Sequence, residues 1–106
     1  MKTNHDITQK QRVVKGVPVD TVELEVTNAN IMALEVGTTG FKGGDAGHGG
    51  RTFIAFKDLG GTSMNANVKQ DRFGCEEIEI EFGGDSELQT LIDSLEFAVK
   101  VLKDRK

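Results

Sequence analysis

The chain has 106 residues, thirteen Lys and Arg against seventeen Asp and Glu, and a formal net charge of −4. That length predicts one domain with a modest core, which a partner subunit would help to stabilise, so a homo-oligomer is expected. The acidic balance argues against a sequence-independent grip on long nucleic acid, which needs a cationic surface.

The N-terminal "MKTNHDITQKQ" lacks the apolar segment of a secretory signal, and no run of about 18 apolar residues follows. A cytoplasmic protein with no membrane partner is expected. Residues 1–11 are polar and aperiodic, which predicts a flexible tail or an arm that orders only against a neighbour. A single α+β domain then spans residues 12–106. "TVELEVT" (21–27) alternates Val22, Leu24 and Val26 with Glu23 and Glu25, the period of a half-buried strand. Asn28-Ala29-Asn30 supplies a turn, and "IMALEVG" follows with Met32, Leu34 and Val36 in phase, so the two segments read as a hairpin.

"RTFIAFK" (51–57) carries strand chemistry with both faces covered. "DLGGTS" (58–63) reads as a turn, Met64 to Val68 as a short strand and "KQDRFG" as a loop. Cys75, the one cysteine, excludes an internal disulfide and a cysteine-based zinc site and reads as a small filler beside Gly74. "EEIEIEF" (76–82) points Ile78, Ile80 and Phe82 inward and Glu77, Glu79 and Glu81 outward. The sum is an antiparallel sheet of about five strands with one wet, acidic face. "GGDSELQTLIDSLEFAVKVLKDRK" closes the chain as an amphipathic helix packed on the sheet. Asp85 or Ser86 is offered as N-cap, with Gln89 completing a capping box. Leu88, Leu91, Ile92, Leu95, Ala98, Val99 and Leu102 form its apolar stripe, and Phe97 and Val101 lie beside it, where they either widen the core-facing band or meet another subunit.

The segment "GTTGFKGGDAGHGGRT" (37–52) is the candidate site. Seven of its first fourteen residues are glycine, while Lys42, Asp45, His48 and Arg51 recur at intervals of three. Glycines permit positive φ and let successive N–H groups converge on an anion. Arg51 offers a planar fork for phosphate or carboxylate, and Lys42 a second positive charge. Thr38 and Thr39 add hydroxyls, Asp45 suits a ribose or base donor, His48 can donate or stack, and Phe41 can stack. With Gly43, Gly44, Gly47, Gly49 and Gly50 these residues make up the expected ligand-binding set. Alternatively, the glycines allow the segment to pack on itself as a hairpin tip or Ω-loop with Arg51 paired to Asp45. The later Gly-Gly turns, "LGGTS" and "FGGDS", add further anion-binding potential if they converge with it.

Other chemistries fit less well. "GGDAGHGG" has Ala46 where a chymotrypsin-like protease has its nucleophilic serine. The P-loop pattern fails because Asp45 and Arg51 replace its first glycine and its lysine and a strand follows. No GxGxxG occurs, so no cofactor is expected. Asp45 and His48 are too few for a metal site unless a neighbour's His5 joins them.

"LEVGTTGFKGGDAGHGGRTFIAFKDLGGT" and "FGGDSELQTLIDSLEFAVKVL" together resemble small phage- and prophage-borne proteins. In size and in glycine-lined architecture the chain is similar to viral anti-defence sponges. That resemblance implies sequestration of cyclic nucleotides or cyclic ADP-ribose signals by a symmetric oligomer in the host-cell cytoplasm. It assigns no residue a role. The leading expectation is thus a non-enzymatic binder of a nucleotide-derived ligand. A phage accessory protein that binds a host protein is the second, and a small phosphodiesterase using His48 with Asp45 the third.

Overall fold

A computed structural model describes residues 4–45, 48–60 and 77–106, the first three by backbone alone. Five antiparallel strands run in the order of the chain: β1 (Asn4–Val14), β2 (Val17–Thr27), β3 (Ile31–Thr38), β4 (Arg51–Gly60) and β5 (Glu77–Gly83). One helix, α1 (Asp85–Arg105), follows and packs on β4 and β5. The protein is therefore α+β, as its periodicities predict. The expected strand at 64–68, the loop after it and Cys75 lie outside the described residues.

The first hairpin corrects the expectation of a flexible tail. Residues 4–11 belong to β1, with Ile7 opposite Leu24 and Val14 opposite Val17. The turn between β1 and β2 is Lys15-Gly16, both at positive φ (51° and 81°). That is the backbone of a two-residue type I′ turn, whose twist matches the strands it joins. The second hairpin forms as expected around Asn28-Ala29-Asn30, where the Asn28 N–H donates to the Asn30 carbonyl at 2.7 Å.

Strand alternation sets two faces, and the structure decides which is inside. The sheet coils until Cα atoms of β1 approach within 8 Å of β5, although four strand spacings would separate them by about 19 Å in a flat sheet. The concave side carries Val14, Val19, Phe53 and Ala55 as its buried core, together with fully buried Ala33 and Glu35. Val22, Leu24, Val26, Leu34, Val36, Ile78, Ile80 and Phe82, expected to face inward, share the opposite, convex side with Ile54, which is 3% exposed where α1 packs on β4 and β5. Val22 and Ile80 are each 39% exposed. Small residues on the concave side allow its tight coiling. A Cβ at Gly37 would collide with the Asp20 carbonyl and with Thr21, and Ala33 and Ala55 allow equally close approach.

Arg12 ties the concave side together. From β1 its guanidinium donates to both Glu35 oxygens on β3, at 2.7 and 2.6 Å. It lies 5.0 Å from the Phe53 ring centroid on β4 and 3.9 Å from Glu79 on β5. Thr21 donates to Glu35 at 2.7 Å, Lys57 lies 3.7 Å from it, and Lys10 pairs with Glu23. The expected acidic wet face is met along β5, where Glu77, Glu79 and Glu81 are exposed. It is not met at Glu23 and Glu35, which belong to this ion network.

Candidate functional site

The glycine loop does cradle an anion, and the anion is the protein's own. Asp85, the first residue of α1, turns its carboxylate into the loop between β3 and β4. It accepts backbone N–H bonds from Lys42 (2.9 Å to Oδ1, 3.0 Å to Oδ2), Gly43 (2.6 Å), Gly44 (3.4 Å) and Gly50 (2.9 Å). Those donors, led by Lys42, hold the Asp85 carboxyl down at about 2, because several N–H groups aimed at one carboxylate favour its charged form. The fit is close. Gly49 sits at φ 70°, and a Cβ there would fall on the Gly44 carbonyl and 2.7 Å from Asp85 Oδ1.

Further bonds lock the same junction. The Gly84 N–H donates to the Gly50 carbonyl and the Asp85 N–H to the Gly44 carbonyl, both at 2.7 Å. Asp45 Oδ1 accepts the Ser86 N–H at 2.9 Å. A loop residue thus caps the helix from outside, where Asp85 or Ser86 was expected to cap it from within. The observed N-cap is Gly84, which makes no side-chain cap bond, and Gln89 bonds Asp93 instead of closing a capping box. Loop and helix start are exchanging complementary groups: N–H donors of one meet the acidic first turn of the other.

The remaining predicted site residues brace this clamp or stand outside it. Thr38 Oγ1 lies 2.9 Å from Thr52 Oγ1 and accepts the Gly40 N–H. Thr39 Oγ1 accepts the Arg51 N–H at 2.9 Å. Arg51 was expected to close on an external phosphate or on Asp45. Its Nη1 instead donates to the Gly49 and Gly50 carbonyls at 3.1 and 3.3 Å, and so stiffens the loop's return into β4. Phe41 is 60% exposed. His48 is exposed too, and its backbone N–H donates to the Asp45 carbonyl. Gly47 lies outside the described residues. Of the two other Gly-Gly turns, the one opening α1 does converge with the loop.

Sequence reasoning named the loop's donors and missed their acceptor. The signal was present: a carboxylate directly after "GG" at a helix start. Arg12 and Glu35 were missed as well, since each sits in a strand whose pattern gives no sign of what lies across the sheet. The Arg12 bonds, aided by Thr21, hold the Glu35 carboxyl at about 2 despite its burial. Arg12 is raised in turn by Glu35. Lys10 is raised by its bond to Glu23, and Glu79 is raised by neighbouring Glu77.

Among the described residues, no group of three His, Cys, Asp or Glu side chains is placed to hold a metal ion, and no helix is long and apolar enough to cross a membrane. Comparisons with protein-family models, with curated proteins and with solved structures found no match.

Proposed function

We propose that the chain is a non-catalytic protein-interaction domain that works through the convex face of its sheet and the apolar stripe of α1. In this view the glycine loop is a structural clamp that fixes where the helix starts. One observation carries the proposal: the loop's converging N–H groups are engaged by Asp85, while Val13, Val22 and Ile80 on the sheet and Val99 and Leu102 on α1 leave apolar side chains exposed. Apolar surface exposed in a contiguous patch is the ordinary signature of a protein contact. Asp45 supports the same view, because its carboxylate is engaged at the helix start and not with the His48 ring.

A photo-crosslinking residue placed at Val22 or at Leu102 tests this in cells. Protein adducts at both positions, and none from a control at Glu81, exposed on the concave side of β5, are expected. A chain that gives no adduct from either position would defeat the proposal.

Sequestration of a nucleotide-derived signal is the second candidate, favoured by the anion-nest geometry of the loop. A phosphate could enter that nest only by displacing Asp85. Cyclic dinucleotides and cyclic ADP-ribose are therefore expected to leave the melting temperature of the protein unchanged. A saturable rise that disappears in Arg51→Ala would reverse the preference.

A further inference from the structure

The sheet ends in two edge strands, β1 and β5, and they are built differently. β5 carries Glu77, Glu79 and Glu81, all exposed, along one side. Laid beside its own copy, that edge would set carboxylates against carboxylates, a common device for keeping edges apart. β1 has no such guard. It runs for 11 residues without proline and pairs with β2 in unbroken register, ending at Val14 against Val17. Its cations are engaged inside the chain, Lys10 with Glu23 and Arg12 with Glu35.

The turn fixes which backbone groups of β1 point outward. In a two-residue hairpin the closing pair, here Val14 with Val17, exchanges both of its N–H···O bonds, and the pairing alternates from there. Arg12, Lys10 and Thr8 therefore bond to β2, while the N–H and C=O groups of Val13, Gln11, Gln9 and Ile7 face away from it. Among the described residues, no strand pairs with that outer side. The contacts that bring β1 and its turn to β5 are made elsewhere: Arg12 reaches Glu79 from the concave side, and the Lys15 stem lies over Gly83. Ile7 and Val13 are 65% and 67% exposed, with Gln9 and Gln11 exposed between them.

The order of those side chains names the occupant. On the convex side β1 reads Ile7, Gln9, Gln11, Val13: apolar, amide, amide, apolar, symmetric about Lys10. Run antiparallel to itself about that residue, the strand sets Ile7 opposite Val13 and Gln9 opposite Gln11, and the two-fold repeats both pairs. The backbone parity agrees. These are the residues whose N–H and C=O groups face outward, so their pairs fall at hydrogen-bonded positions and about eight N–H···O bonds close between the strands. On the concave side Thr8 meets Arg12, and the two Lys10 residues face each other at the axis, each beside its own Glu23. A foreign strand would have to bring the same order; a second copy already has it.

We propose that two copies associate about a two-fold axis at Lys10, pairing their β1 edges antiparallel so that one sheet runs through both. Such a contact is isologous, so one edge serves twice and the assembly closes at two subunits. It uses the edge of the sheet and not its convex face, and so goes beyond the interaction surface proposed above and does not depend on it.

Sedimentation equilibrium of the purified full chain and cysteine cross-linking test this. The expected mass is twice that of the chain at high micromolar concentration. Gln9→Pro removes an outward N–H at two symmetry-related places without touching a bond to β2, so it keeps the folded circular-dichroism spectrum and weakens association by about thirtyfold. In a Cys75→Ser background, Lys10→Cys is expected to form a disulfide-linked dimer, because facing residues of a non-hydrogen-bonded pair lie about 4.5 Å apart at Cα, within disulfide reach. Thr8→Cys is expected to form none, since its copy lies about 13 Å further along the strand.

A monomeric mass up to millimolar concentration would overturn the proposal, as would a dimer indifferent to Gln9→Pro or a Thr8→Cys variant that links as readily as Lys10→Cys. Species that keep growing with concentration would mean head-to-tail pairing of β1 with β5 of the next copy. A photo-reactive residue at Gln9 that links in cells only to a different protein would give the edge to a foreign strand. Either result makes the second copy's β1 the wrong occupant, while adducts at Val22 and Leu102 test the convex face separately.

Discussion

Glu35 is the most demanding position in the sheet, since a fully buried carboxylate is stable only while its partners hold it. Replacement by Gln preserves volume and removes the charge. The Glu35 carboxyl lies at about 2 against an ordinary value of 4.5, and at about 1.4 kcal/mol per tenfold change the difference corresponds to roughly 3 kcal/mol. Arg12 is partly exposed, its side chain retaining 31% of its accessible surface, so solvent screening reduces this figure to about 2–3 kcal/mol.

Arg12→Met is expected to be worse than Glu35→Gln, by about 3–5 kcal/mol relative to the native protein, because it leaves a buried charge with only Lys57 nearby. The pair Arg12→Met/Glu35→Leu is expected to recover much of that loss. Urea unfolding at fixed protein concentration measures all three. Because the folded value is depressed, the Glu35 contribution is complete above about pH 4.5 and disappears as pH falls through about 2. Native protein and Glu35→Gln should therefore converge in stability near pH 2. A difference below about 0.5 kcal/mol at neutral pH, which is the noise of ordinary surface substitutions, would refute the role given to this network. So would a difference that persists undiminished in acid.

The clamp yields three further expectations. Asp85→Ala should remove hydrogen-exchange protection from the amides of Lys42, Gly43, Gly44 and Gly50, and added acetate should restore part of it by occupying the vacated nest. Protection of those amides in the native protein should persist at pH 4 and fade as pH drops through about 2, the value to which the loop N–H groups hold Asp85. Alanine at Gly50, where a Cβ would strike the Gly40 carbonyl, should disrupt the clamp. Alanine at Gly43, which has positive φ (87°) but open space around it, should cost only about 1–2 kcal/mol in thermal unfolding.

Sequence by itself determined most of the secondary structure of this protein. Period-two alternation marked the segments at 21–27, 31–37 and 76–82 as strands, aromatic and β-branched residues marked 51–57, helical spacing from Leu88 to Leu102 marked α1, and seven glycines in fourteen residues marked a backbone shaped for an anion. It did not reveal β1, because "NHDITQKQRVV" alternates too weakly to announce a strand; the Lys15-Gly16 turn was the available clue.

Tertiary structure alone decided two matters. Alternation distinguishes two faces of a strand, but which of them becomes concave depends on how the whole sheet coils and on contacts such as Arg12 with Glu35 and Phe53, drawn from three different strands. Likewise, positive φ and bare N–H groups specify a cradle without specifying its occupant. That occupant, Asp85, lies 35 to 43 residues away along the chain from the donors it engages. Only folding, which sets helix start against loop, raises its local concentration above that of any anion in solution.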